Sequence, residues 1–286
     1  MDLQDQGESV GEIQFINIIS MNNPRDNKGF NKHSQYLWYR IGSLRRTEIK
    51  IPVELCFYVL REKLLPTFKI YILLKMTCSG KDRITGFEKE VYSEYCGYNT
   101  IRGFENHLRK LTQLNWIGFN RKSKIYHIRG FEFIQKQLKL SSRTGFWFSI
   151  TDMQSFDGII YGAVIGYLSK SQGKKQRIDP EKGRSNQVLC KSPGFYPISS
   201  RALAKILNVS NSTASKMKQR AEEVGSIQIK RKRIIEPATH DVYKRLKETY
   251  PKEYLPVMVW KHLFYRRLPD LVKPELKYGT RKKFDQ

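Results

Sequence analysis

The chain has 286 residues, 40% of them hydrophobic and 12% aromatic. That suffices to close real cores in about two domains and excludes a disordered polymer. Against 52 Lys and Arg stand 27 Asp and Glu, a formal net charge of +25 that internal pairing cannot neutralise and that suits a nucleic acid or an anionic membrane.

No apolar run approaches the ~20 residues that a membrane span needs. The longest, Gly158 to Leu168, falls well short and is rich in glycine. The start of the chain, with Asp2, Asp5, Glu8 and Glu12 and no cation among the first residues, carries no secretory signal. A cytoplasmic location and no membrane contact are expected. Cys56, Cys78, Cys96 and Cys190 are scattered without a CxxC, so reduced thiols are expected, with Cys56 and Cys96 in apolar settings that suit burial.

In chain order, residues 1–49 read as an acidic tail followed by short strands at 13–20 and 36–41. The first domain is expected over 50–140. Pro52 opens a helix that Pro66 ends, and Thr67 caps an apolar helix from Phe68 to about Cys78. A short helix comes next near Glu88 to Tyr95. Asn99 or Thr100 caps a longer one to Leu114, whose Ile101, Phe104, Leu108 and Leu111 share a face. Trp116–Phe119 and Ile125–Ile128 read as two strands around a basic tip, Arg121-Lys122-Ser123-Lys124. Phe131 to Leu140 reads as an exit helix and Ser141 to Gly145 as a linker.

The second domain is expected over 146–238. A short aromatic strand, Phe146 to Ile150, precedes an apolar helix ending near Ser169. Residues 171–197 form a long polar stretch, which fits a phosphate-contacting arm or a solvated insertion equally well. Ser200 to Leu207 carries the stripe Ala202, Leu203, Ile206 and Leu207, with Ser199 or Ser200 as cap. Asn208-Val209-Ser210 turns the chain. Asn211 or Ser212 caps a second helix with Ala214, Met217, Ala221 and Val224 inside, and Gly225 stops it. Its other face holds Ser212, Thr213, Ser215, Lys216, Lys218, Gln219 and Arg220, side chains that reach base edges and phosphates. Ile227 and Ile229 alternate with polar residues into Lys230-Arg231-Lys232-Arg233, and Ile234-Ile235 is expected to return as the partner strand. Residues 239–286 read as C-terminal helices and a basic tail.

The two stretches share one order of elements: helix, turn, longer helix, strand, basic tip, strand. At an offset of 111, Tyr98 falls on Val209, Thr100 on Asn211 and Trp116 on Ile227, without repeated identities. A helix-turn-helix followed by a basic hairpin resembles a winged-helix DNA-binding domain. The expected fold is therefore α+β, mainly helical, with two winged helix-turn-helix domains in tandem and small β-hairpin wings. Thr100, Arg102, Arg121, Lys122 and Lys124 are the candidate contacts of the first domain. The polar helix face and Lys230 to Arg233 are those of the second.

No phosphate loop, HExxH, CxxC or acidic pair of the two-metal kind is present in the sequence, so neither catalysis, a metal nor a cofactor is expected. Two winged helices in one basic chain resemble the replication initiators of plasmids and phages. That resemblance implies a duplex DNA partner with origin repeats, one domain that assembles and one that reads, and a homodimer or a contact with the replication machinery. A transcription regulator of the same fold and a packaging protein without sequence preference are the alternatives.

Overall fold

The structure is a computed structural model that describes residue 39 and residues 47–280, without 79, 99, 179–193, 232, 250–257 and 261. The strand expected at 13–20, Lys232, the centre of the polar stretch and Arg281 to Lys283 lie outside the described residues. Of the strand expected at 36–41 only Tyr39 is described, and it is helical. The architecture is α+β, with nine α-helices and four three-stranded antiparallel sheets among the described residues.

Strand β1 (Glu48–Pro52) leads into helix α1 (Val53–Arg61), and Leu65–Thr77 forms α2. Helix α2 starts three residues before the expected Phe68. Pro66 fits the first helical turn because the N–H it lacks would have no acceptor there. Thr67 is thus inside the helix and not its cap. Strand β2 (Lys81–Asp82), α3 (Gly86–Tyr95), α4 (Ile101–Gln113), β3 (Ile117–Asn120) and β4 (Ile125–Ile128) complete the first unit. Its sheet has the order β2-β4-β3, so the last strand lies in the middle. Thr85 and Glu88 cap α3 reciprocally, each side chain meeting the other's backbone N–H. The exit helix α5 spans Phe131–Gln137.

Strand β5 (Thr144–Ser149) pairs antiparallel with β1, Trp147 opposite Lys50, and so joins the start of the second unit to the start of the first. Alternation decides the faces: Ile51, Phe146 and Phe148 point into the core while Trp147 is exposed. After a 3-10 turn (Ile150–Ser155), helix α6 runs Phe156–Ile178, well past the expected end near Ser169, because no proline interrupts Lys170 to Ile178. Then come β6 (Tyr196–Pro197), α7 (Ser200–Leu207), α8 (Asn211–Glu223) and β7 (Ile227–Lys230).

Beyond β7 the chain departs from expectation. Strand β8 (Arg233–Pro237), which contains Ile234 and Ile235, does not return against β7. It pairs with β10 (Leu263–Arg267), itself flanked by β9 (Met258–Trp260), and α9 (His240–Thr249) lies between β8 and β9 in the chain. The partner of β7 is β11 (Leu271–Pro274), giving the order β6-β11-β7, the same as in the first unit. Strand β12 (Tyr278–Thr280) then joins β5. Beyond residue 238 the described chain holds one helix and four strands in place of the expected helices.

The two units align in register at an offset of 110, one less than the sequence pattern suggests. Thr100 and Ser210 are the N-caps of α4 and α8, and both helices have 13 residues. Ser210 and not Asn211 or Ser212 is the cap, its hydroxyl accepting from Thr213 N–H at 3.0 Å. Both helices end alike. Asn115 (φ 55°) and Gly225 (φ 70°) take the left-handed position, and the next N–H groups, of Trp116 and Ser226, bond back to Leu111 and Ala221 at 3.0 Å. Ile117 and Ile227 thereby start equivalent strands.

One hydrophobic core runs through both units. Its centre is aromatic: Trp116 packs edge-on against Tyr71 (5.5 Å) and Phe68 (6.1 Å), and Phe68 meets Phe156 at the start of α6 (5.9 Å). Each such pair adds about 0.5–1.5 kcal/mol beyond area burial. The second unit packs α8 on α6 by a different means. A Cβ at Gly158 would lie 2.8 Å from Val224, and one at Gly162 would lie 1.9 Å from the Ser226 hydroxyl. These glycines let α6 approach the C-terminal end of α8 and the start of β7 closely. A separate small cluster of Phe195, Ile234, Leu246, Leu268 and Leu271 holds α9 and the β8-β10-β9 sheet.

Candidate nucleic-acid interface

Helix α8 buries Ala214, Met217 and Ala221 and turns Ser212, Thr213, Ser215, Lys216 and Gln219 to solvent. The i, i+3, i+7 spacing of these apolar residues dictates that division. Lys218 departs from the expected exposed face. It aligns with Leu108 of α4, a core position, and is 2% exposed. Its ammonium donates to the Ile198 carbonyl at 2.9 Å and to the Asp270 carboxylate. It therefore secures the helix from inside and is not available to DNA. Arg220 is half-buried between Asp157 (3.5 Å) and Glu223 (3.4 Å).

The cations after β7 divide likewise. Arg231 is exposed and chelates Glu222 at the end of α8. Lys230 lies over the Phe195 ring at 4.2 Å, and Arg233 is exposed. Lys230, Arg231 and Arg233 do not form a hairpin tip. They sit where β7 passes into β8.

In the first unit the tip expected from the sequence is present. Strands β3 and β4 pair from Ile117↔Ile128 to Asn120↔Ile125. The Asn120 side-chain oxygen accepts from the N–H groups of Lys122 (3.0 Å) and Ser123 (3.2 Å), and Lys124 takes the left-handed position (φ 55°). Arg121, Lys122 and Lys124 are all exposed at this turn. Thr100 spends its hydroxyl on the Gly103 N–H at 3.3 Å. Arg102, the second residue of α4, is exposed.

The polar face of α4 extends beyond the candidate Arg102, through Asn106, Arg109, Lys110 and Gln113, all exposed. The 3.6-residue spacing from Arg102 carries that signal in the sequence. Arg109 donates to Asn106 at 2.6 Å. Between this face and the hairpin lies an open groove of about 540 Å³ bordered by Phe119 and Tyr126, whose tilted rings meet at 4.6 Å between centroids. At its other side Lys89 binds Glu105 (2.6 Å) and holds that carboxyl below its ordinary pKa through hydrogen bond and charge. That leaves Arg102, Arg109 and Lys110 as the cations on the outer face of α4.

Among the described residues no three His, Cys, Asp or Glu side chains converge as metal ligands, and no helix is long and apolar enough to cross a membrane. Cys56, Cys78 and Cys96 are buried thiols. No protein-family model, curated protein or solved structure matches the chain.

Proposed function

We propose that this chain is a sequence-specific duplex DNA-binding protein built from two winged helix-turn-helix units, and that it initiates replication of a plasmid, phage or other mobile element by binding repeats at the origin. One observation carries the reading. The same topology occurs twice, with strand orders β2-β4-β3 and β6-β11-β7, and each copy offers solvent a 13-residue helix with a polar, cationic outer face. The overall charge of +25 supports a polyanionic partner. Small and polar side chains at the N-terminal end of α8 suit entry into a major groove, with Lys216 and Gln219 further along. The basic turn of the first unit suits the phosphate backbone. The replication role rests on the resemblance of this tandem arrangement to initiator proteins.

Selection of bound sequences from random duplex DNA, with the full chain at near-physiological salt, tests the reading. Two conserved blocks about one helical turn apart, present in tandem copies at the origin of the replicon that carries the gene, are expected. Recovery of no motif despite salt-sensitive binding would leave a packaging role, and a single copy at a promoter would leave a regulator.

A further inference from the structure

The hairpin of the first unit turns within a few residues, whereas the equivalent strands of the second, β7 and β11, are separated by residues 231–270. The register shows how that insertion is built. Lys230 pairs with Leu271, and Arg233 with Arg267, so two residues on one side oppose three on the other. The β8–β10 ribbon thus follows the β7–β11 pair with its register shifted by one residue, in a sheet of its own. The β8–β10 ribbon, paired from Arg233↔Arg267 to Pro237↔Leu263, spans about 17 Å. Helix α9 is fastened to one face through Leu246 in the small separate core and through Arg245 on Glu236 (2.7 Å).

The root of the ribbon is tied to α8 by both of its strands. On the outgoing strand Arg231 binds Glu222. On the returning strand Asp270 binds Lys218, and its carbonyl accepts from Ile198 N–H at 2.9 Å. The direction in which the ribbon leaves is thus fixed relative to the helix that is read as entering the groove.

Charge indicates what the ribbon meets. Residues 231–270 contain ten Lys and Arg and five Asp and Glu. Arg233 is exposed at the start of β8, where the backbone register pairs it with residue 267. Lys244 and Lys247 are exposed on α9.

We propose that the β8–β10 ribbon, with α9, is an arm that lies along the phosphate backbone beside the groove entered by α8 and lengthens the DNA site on that side alone. Its reach of about 17 Å corresponds to half a helical turn, roughly 5 base pairs. The proposal rests on the DNA-binding reading above.

The test uses the full chain, a duplex recovered by selection and the double variant Arg233→Gln with Arg267→Gln, checked for folding by thermal melting. The variant is expected to lower the slope of log affinity against log salt by close to two, at about 0.9 per phosphate lost. Trimming roughly 5 base pairs from one end of the duplex is expected to weaken the unaltered chain several-fold and the variant little. Trimming the other end should affect both alike. Should the double variant melt early, Lys244→Gln with Lys247→Gln takes its place with the same expectation. Equal losses in both proteins at both ends, with an unchanged salt slope, would overturn the arm and leave duplex binding standing. Failure of the unaltered chain to bind any duplex would overturn both.

Discussion

Lys218, in the middle of α8, and Asp270, at the foot of β11, form an ion pair with side chains only 3% and 8% exposed. Two charges withdrawn from water require each other, and losing one leaves the other stranded. Asp270→Ala is expected to cost about 3–5 kcal/mol in urea unfolding. Combining Lys218→Leu, the residue type of the equivalent Leu108, with Asp270→Leu should recover most of that loss. A single-variant cost below about 1 kcal/mol would mean that water reaches the pair.

Gly162 on α6 faces Ser226, whose hydroxyl lies within hydrogen-bond reach of the Ala221 carbonyl (2.7 Å) and the Gly158 carbonyl (3.1 Å). A methyl group at 162 would lie 1.9 Å from that hydroxyl and 2.5 Å from its Cβ. Gly162→Ala is expected to destabilise by about 1–3 kcal/mol through overpacking, despite the better helix propensity of alanine. Ser226→Gly in the same chain removes the colliding atoms, so the two changes together should cost less than their sum. Strict additivity in denaturation midpoints would contradict the contact.

These two sites mark what the sequence conveys and what it does not. The core face of α8 is legible because Ala214, Met217 and Ala221 repeat at helical spacing. The burial of Lys218 is not, because its partner lies 52 residues away and a lysine between polar neighbours reads as solvated. The return strand is hidden for a similar reason. Ile234-Ile235 after four cations has the local pattern of a hairpin, and nothing local reveals that β11 is the partner of β7. An alignment of the two units that follows Tyr98 and Val209, apolar residues in unlike turns, slips by one residue. The caps Thr100 and Ser210 set the true register. The exposed basic turn at Arg121 to Lys124 is legible because turn chemistry is local.

Lys63 comes after α1 in the left-handed conformation (φ 56°), with Leu64 N–H bonding back to the Val59 carbonyl at 2.8 Å. That is the helix-ending position where glycine avoids the Cβ penalty. Lys63→Gly is expected to stabilise the fold by up to about 1 kcal/mol, and Lys63→Val, β-branched, to destabilise it. Melting temperatures of the two variants that move in the same direction would refute this.

His107 on α4 points its Nδ1 at the Thr67 hydroxyl, 2.9 Å away, and its ring lies tilted against that of Tyr98, 5.2 Å between centroids. Burial holds its pKa below the ordinary 6.5. In the unfolded chain the imidazole takes its proton first as pH falls. The neutral ring thus contributes stability above pH 6.5 that is lost progressively as the pH drops from there toward the lowered folded value. Urea midpoints between about pH 7.5 and pH 5.5 should fall more for the unaltered chain than for His107→Gln. Parallel curves would show that His107 titrates alike in both states.

Lys216 and Lys218 stand two residues apart on one helix and predict opposite behaviour. Lys216 is exposed beside Ser215 and Gln219 on the face read as entering the groove. Lys216→Ala should leave the unfolding curve unchanged and weaken binding of a selected duplex, by about 1–3 kcal/mol where it reads a base or by about one in salt slope where it meets a phosphate. Lys218 is buried, so Lys218→Ala should lower stability first and affinity only through loss of folded protein. Arg121→Ala with Lys122→Ala in the first unit gives a third pattern. A loss equal for all sequences and a salt slope smaller by nearly two are expected, since a turn on the backbone carries no base preference. Unfolding curves and duplex titrations at several salt concentrations, run on all three, separate these outcomes. If Lys216→Ala binds as the unaltered chain does, α8 does not enter the groove as proposed.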